Sequence, residues 1–217
     1  MKIQTKSKKV NKAWMHQQAT DPWVRLARKE GYRARAAYKL REIDERLHLF
    51  KPGQVVVDLG STPGAWSQYA RRQLAPEGAA VGALDGQLVA LDLLPMEHIE
   101  GVNFLQGDFR EEAVLARLNE VVQGRGVDVV MSDMAPNLSG IASADAARIS
   151  LLVELAVDFA VQHLKKDGVL VAKVFHGEGY AQLVALFREH FRSVKVIKPK
   201  ASRDQSTETY LVGLGLR

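Results

Sequence analysis

Lys173 stands in an apolar run, Val169-Leu170-Val171-Ala172-Lys173-Val174-Phe175, that reads as a central strand. A lysine there is costly unless it is paired or opens into a site. Three acids hold comparable places. Asp92 closes one strand-like stretch, Asp108 follows another in Gln106-Gly107-Asp108-Phe109, and Asp133 ends a third in Met131-Ser132-Asp133-Met134. In an open α/β sheet, ligands sit beyond the carboxyl ends of the strands. These four side chains are therefore expected to converge on one site. Asp92 is placed to accept hydrogen bonds from ribose hydroxyls, and Asp108 from an adenine amino group. Each acid alone has an ordinary use as a helix cap or turn residue. Four charged groups at successive strand tips are harder to explain that way.

Residues 55–66 read Val-Val-Val-Asp-Leu-Gly-Ser-Thr-Pro-Gly-Ala-Trp. A β-branched strand ending in Asp58, a turn with Gly60, Pro63 and Gly64, and a helix start at Trp66 form the first βα unit of a cofactor fold. Glycine lets backbone approach a ligand where a Cβ would collide. The two glycines are four apart, so the turn is not G-x-G-x-x-G, and a dinucleotide pyrophosphate is disfavoured. A cofactor without phosphate, such as S-adenosylmethionine, fits better. The six histidines show no metal-ligand spacing, so no metal is expected.

The elements that must position these groups alternate. Strands are expected at 54–59, 88–92, 102–106, 127–133, 168–175, 193–198 and 208–215. Helices are expected at 22–29, 34–47, 66–74, 111–122, 145–164 and 179–190. This alternation predicts a mostly parallel sheet covered on both faces. Only a polar loop joins the last two strands, so they should pair antiparallel. Asp21-Pro22 is a helix start. Residues 79–92 contain two stretches ending in Leu-Asp, and periodicity does not decide whether Asp85 or Asp92 tips strand two.

With 217 residues the chain is one ordinary domain. We expect a basic tail at 1–20 and a single domain at 21–217, split into a basic helical segment (21–51) and a Rossmann-like core (52–217). No cysteine is present, which fits a reducing cytoplasm. The first ten residues lack the apolar stretch of a signal peptide, and no run approaches a membrane span. Residues 1–51 hold 14 Lys/Arg against 5 Asp/Glu, while the rest hold 16 against 20, so all the positive excess of the +5 chain lies in its first quarter. Such asymmetry implies a polyanionic partner. Trp14, Trp23, Tyr32 and Tyr38 are interleaved with that charge and suit stacking on bases; the plainer use of them is packing inward.

Several pieces occur together and in order: Arg35-Ala36-Ala37-Tyr38-Lys39-Leu40, Asp58 through Gln68, Asp92-Leu93-Leu94-Pro95-Met96, Phe104 through Arg110, Met131 through Asn137, Lys173-Val174-Phe175, and Lys198-Pro199 through Tyr210. With them the chain resembles the FtsJ-like (RlmE-type) ribosomal RNA 2′-O-methyltransferases, the heat-shock methyltransferases. The resemblance spans about residues 20–215. It implies a class I methyltransferase fold: a seven-stranded, mostly parallel Rossmann-like sheet with an antiparallel last strand and helices on both faces. It also implies a catalytic Lys-Asp-Lys-Glu tetrad, which falls on Lys39, Asp133, Lys173 and Glu208. The implied contacts to S-adenosylmethionine are Gly64, Trp66, Asp92, Asp108 and Asp133. The Asp-Leu-Leu-Pro-Met match favours Asp92 over Asp85. Residues around Gly82–Leu88 look inserted, and Ala65 replaces a frequent second glycine.

The implied activity is 2′-O-methylation of a ribose in 23S ribosomal RNA, at a uridine of the A-loop in the assembled large subunit. The enzyme is expected to be a cytoplasmic monomer that meets RNA through its basic N-terminal segment and has no membrane contact. Alternatives are a 2′-O-methyltransferase acting on tRNA or an mRNA cap, and a non-catalytic RNA-binding ribosome-assembly factor. An intact tetrad argues against the latter, and the missing G-x-G-x-x-G against a nicotinamide dehydrogenase.

Overall fold

The computed structural model describes residues 20–122, 124–136, 139–203 and 205–217. The expected tail, with Trp14, and Asn137 of the Asp133 segment lie outside them. Helices α1 (Pro22–Glu30) and α2 (Ala36–Leu47) precede the sheet. Asp21 caps α1, accepting from the amide of Trp23 at 2.9 Å, with Pro22 in the first turn and Gly31 (φ 76°) ending the helix.

The alternating unit follows: β1 (Gln54–Leu59), α3 (Ala65–Leu74), β2 (Gly86–Asp92), β3 (Val102–Gln106), α4 (Glu112–Val122), β4 (Val127–Ser132), α5 (Ala142–His163), β5 (Leu164–Phe175), α6 (Tyr180–His190), β6 (Phe191–Ile197) and β7 (Glu208–Leu216). The seven strands form one sheet in the order β3-β2-β1-β4-β5-β7-β6. Pairing is parallel up to β5, and β7 runs antiparallel to both β5 and β6. The expected fold class and antiparallel last strand are found.

Successive strand residues face opposite sides, and the β1 valines use this. Val55 and Val57 pack with α4, α5 and α6 residues such as Leu118, Val157 and Phe187. Val56 packs on the other face with Ala27, Leu40 and Tyr69 from α1, α2 and α3. The N-terminal basic segment is thus one of the two helical layers. Its aromatics point inward: Tyr32 and Tyr38 are buried, and Tyr38 stacks near Trp23 at 5.2 Å and Tyr32 at 5.8 Å. The expectation that these rings stack on bases is corrected in favour of core packing.

Several boundaries moved, those of β5 and β2 among them. β5 begins at Leu164, which pairs with Val127 ahead of an irregularity in the β4–β5 register. The polar Lys165-Lys166-Asp167 hid that start from a reading by hydropathy. β2 begins at Gly86. Asp85 therefore lies before the strand, its amide donating to the Leu74 carbonyl and its carbonyl accepting from Gly53, both at 2.9 Å. Asp92 ends β2, which resolves the Leu-Asp ambiguity. The inserted stretch is tied down at the opposite end of the sheet. There the buried Arg71 guanidinium donates to the carbonyls of Ala79, Gly82 and Glu100.

Candidate active site

A cavity of about 640 Å³ opens beyond the carboxyl ends of β1, β2 and β4. Asp92, Asp108, Asp133 and Lys173 all line it. The convergence expected from the strand tips is present.

Each acid is held by its own surroundings. Asp92 accepts from the amides of Thr62 and Leu94, both at 2.8 Å, so its carboxylate fastens the β1–α3 turn to the end of β2. Asp108 is gripped by Arg110 through Nη2 at 2.6 Å and Nε at 2.9 Å. That side-chain bond, then the Arg110 amide, holds its carboxyl below the usual range. Asp133 follows β4, accepts from the Tyr210 hydroxyl at 2.9 Å and pairs with Lys173 Nζ at 3.2 Å. Lys173 Nζ also donates to the Asp133 backbone carbonyl at 2.6 Å.

Strand register assembles the rest. Lys173 on β5 stands opposite Tyr210 on β7, and Phe175 opposite Glu208. Glu208 and Tyr210, two apart, share a sheet face with Lys173. Glu208 meets Lys39 of α2, with Nζ to Oε1 at 2.7 Å and to Oε2 at 2.9 Å. Two ion pairs result, Lys173–Asp133 and Lys39–Glu208, and all four side chains are mostly buried. The Tyr210 hydroxyl interacts with both carboxylates. Burial, then Asp133 and Glu208, pushes its ionisation well above the ordinary tyrosine value, so it stays a neutral donor between them.

Lys39, Glu208 and Tyr210 do not line the cavity. Gly64 and Trp66 do not line it either. Trp66 is buried, donates Nε1 to the Ala36 carbonyl at 2.9 Å, and packs on Tyr210 at 5.5 Å. Gly60 (φ 77°) does line the cavity, but a Cβ there would meet Met134 at 2.5 Å. At Gly64 (φ 105°) a Cβ would meet Ile99, Arg33 and Met96 within 3 Å. These glycines admit neighbouring protein, where the sequence suggested a ligand. Ala65 begins α3 and needs no positive φ.

Two participants escaped the sequence reading, and a third, Asp58, was read only as the end of β1. Tyr210 was visible only as the end of a matching stretch, although its i, i+2 spacing from Glu208 is a strand signal. Ser202 donates to Glu208 Oε1 at 2.8 Å. Asp58, fully buried, accepts from Ser67 Oγ at 2.6 Å through Oδ2, while Oδ1 has no partner. Burial, with Asp133 and Asp92 adding, pushes the Asp58 carboxyl up to about 7 against the opposing Ser67 bond.

The cavity suits a cationic ligand bearing hydroxyls and an aromatic ring. Its acids are Asp92, Asp108 and Asp133, its walls include Leu93, Leu94, Phe109 and Leu152, and its arginines are engaged, Arg110 with Asp108 and Arg148 with Asp145.

Comparison with known proteins agrees with this geometry. Over its full length the chain is 74% identical to the ribosomal RNA large subunit methyltransferase E of Paracidovorax citrulli, covering all of that protein. It is 67% identical to the protein of the same name from Delftia acidovorans, again over the whole of both chains. A crystal structure of a ribosomal RNA methyltransferase from Plasmodium falciparum superposes with a TM-score of 0.74 at 26% identity, covering 85% of this chain and 98% of that one. Residues 32–216 match the FtsJ-like methyltransferase family, and the chain belongs to that family.

Proposed function

We propose that this chain transfers a methyl group from S-adenosylmethionine to a ribose 2′-hydroxyl of large-subunit ribosomal RNA. The finer reading is a uridine of the A-loop, modified in the assembled subunit by a cytoplasmic monomer. The observation that carries the chemistry is the Lys173–Asp133 pair, buried in the cavity wall and joined through Tyr210 to Lys39–Glu208. Relatives up to 74% identical carry the name of such an enzyme, which supports ribosomal RNA as the substrate. Among the described residues no helix is long and apolar enough to cross a membrane.

Asp92 and Asp108 are the groups to hold the cofactor's ribose and adenine, and Asp133 faces its charged end. Trp66 would contribute through its backbone amide, since amides in the first turn of α3 lack intrahelical acceptors; Gly64 would contribute only by bending the turn, its own amide donating to the Ser61 carbonyl at 2.6 Å. When bound, S-adenosylmethionine supplies a methyl group on a positively charged sulfur. Lys173 Nζ donates to the Asp133 carbonyl and pairs with its carboxylate, which leaves one position on the nitrogen for the 2′-oxygen. As an ammonium its N–H there orients the oxygen and stabilises the developing alkoxide; as a neutral amine its lone pair there takes the proton. Tyr210 and Asp133 keep the amine from swinging away. Holding nucleophile and methyl in line supplies much of the acceleration, worth several kcal/mol.

Lys173→Ala should abolish methyl transfer to purified large subunits, measured with labelled cofactor, while calorimetry still detects cofactor binding. Turnover near the wild-type rate would overturn the assignment. Transfer to tRNA but not to large subunits would keep the chemistry and replace the substrate.

A further inference from the structure

The loop between β6 and β7 is clamped onto α2 by a residue with no place in the reaction so far. Glu42 lies one turn beyond Lys39 on that helix. Its Oε2 accepts from the Lys200 amide at 2.7 Å and its Oε1 from the Ala201 amide at 2.9 Å. Arg35, which caps the start of α2, donates to the Ala201 carbonyl and to Asp21. A turn bond from the Ser202 amide to the Pro199 carbonyl at 2.9 Å closes the segment. Ala201 and Ser202 are buried as a result.

The clamp ends at the active site. Ser202 Oγ donates to Glu208 Oε1, the same carboxylate that holds Lys39. Helix α2 therefore fixes Lys39 twice, once through its own backbone and once through Glu42, the loop, Ser202 and Glu208. A lone Lys39–Glu208 contact would leave the carboxylate free to rotate. With Ser202 on one oxygen, its plane is set. Surface turns are often secured by a single polar contact; a carboxylate spanning two consecutive amides, with an arginine on the next carbonyl, is a more rigid device.

We infer that Glu42 is a positioning residue: it holds the Pro199–Ser202 turn so that Ser202 orients Glu208, and through it Lys39, for methyl transfer. The inference rests on the proposed catalytic role of the Lys39–Glu208 pair. Glu42→Gln sets an amide N–H against one of the two loop amides and breaks the clamp. Ser202→Ala removes the hydroxyl and leaves the clamp intact.

The test is steady-state methyl transfer to purified large ribosomal subunits, with Lys39→Ala run in parallel. Glu42→Gln and Ser202→Ala should each lower kcat about tenfold, with KM for S-adenosylmethionine unchanged. The double variant should be no slower than the slower single one, because both break one chain of contacts. Hydrogen exchange at the amides of 200–202 should quicken in Glu42→Gln and stay as in the wild type in Ser202→Ala. Wild-type kcat in Glu42→Gln, or losses that multiply in the double variant, would overturn the inference while a defect in Lys39→Ala leaves the site reading standing. Full turnover in Lys39→Ala would overturn that reading and this inference together. If Glu42→Gln does not fold, a wild-type kcat in Ser202→Ala is by itself enough to reject the relay.

Discussion

Asp58 shows what a buried carboxyl costs and what it does to stability. It lies under the cavity with one oxygen on Ser67 and the other without a partner, and its carboxyl is pushed up to about 7. A folded-state value above the ordinary 3.8 means that the native protein binds a proton the unfolded chain has released. The stabilising contribution is complete below the unfolded value and is lost as pH rises through about 7. Asp58→Asn keeps an acceptor for Ser67 and removes the ionisation. In the absence of cofactor it should melt higher than the wild type at pH 8, and the difference should shrink steadily towards pH 4. Thermal melts across that range check this; an equal gap at both values would show that the carboxyl does not titrate as described. Lys173 is a different case: its partner Asp133 lies at 3.2 Å and Tyr210 holds the same oxygen. The lysine was legible because an apolar run cannot hide a charge. The tyrosine was not, because aromatic residues are ordinary in strands.

At the level of elements, the site is made by register. Lys173 meets Tyr210 because β5 and β7 pair antiparallel with those residues opposite, and a slip of one residue would turn Tyr210 and Glu208 to the other face. Such pairing joins residues far apart in the chain, so no local window reveals it. The β6–β7 loop escaped notice for the same reason. It reads as an ordinary polar turn, and its role comes from Glu42. The inserted stretch after α3 was legible as an anomaly but not as a location. Arg71 now places it at the end of the sheet away from the cavity, holding the carbonyls of Ala79, Gly82 and Glu100. Arg71→Leu strands those acceptors and should cost about 2–3 kcal/mol, roughly 5–10 °C in melting temperature. Its kcat at 25 °C should match the wild type. A loss of turnover without a loss of stability would show that the stretch communicates with the site.

Across the whole molecule, charge is distributed less simply than a count suggests. Within the basic first quarter, Arg33 is spent on the carbonyls of Pro63, Glu97 and His98, Arg35 on Asp21 and Ala201, Lys39 on Glu208, and Arg41 on Glu30 and Glu45. Arg25, Arg28 and Lys29 of α1 are exposed. The proposed RNA contact falls to them and to the five lysines of residues 1–19. Deleting residues 1–19 should weaken binding to ribosomal RNA and reduce the slope of log affinity against log salt by up to about 3. Cofactor affinity should not change. Filter binding at several salt concentrations measures this, and an unaltered slope would remove the tail from the RNA contact.

What the sequence determined by itself was local and periodic. The alternation of strands and helices, the apolar strand interrupted by Lys173, the acids at strand tips and the non-dinucleotide glycine turn all follow from neighbours within a few residues. The class of fold followed because alternation leaves few ways to cover a parallel sheet. Tertiary structure decided which of those residues touch. It put Asp92 and not Asp85 at the cavity, turned Tyr32 and Tyr38 inward, and tied Arg33, Arg35, Lys39 and Arg41 to carbonyls and carboxylates. It also brought two lysine–acid pairs to either side of Tyr210 and set Ser202 on one of them. Those outcomes depend on strand register and on helix α2 packing over the sheet, where partners lie 40 to 169 residues apart and no spacing in the chain encodes their distance.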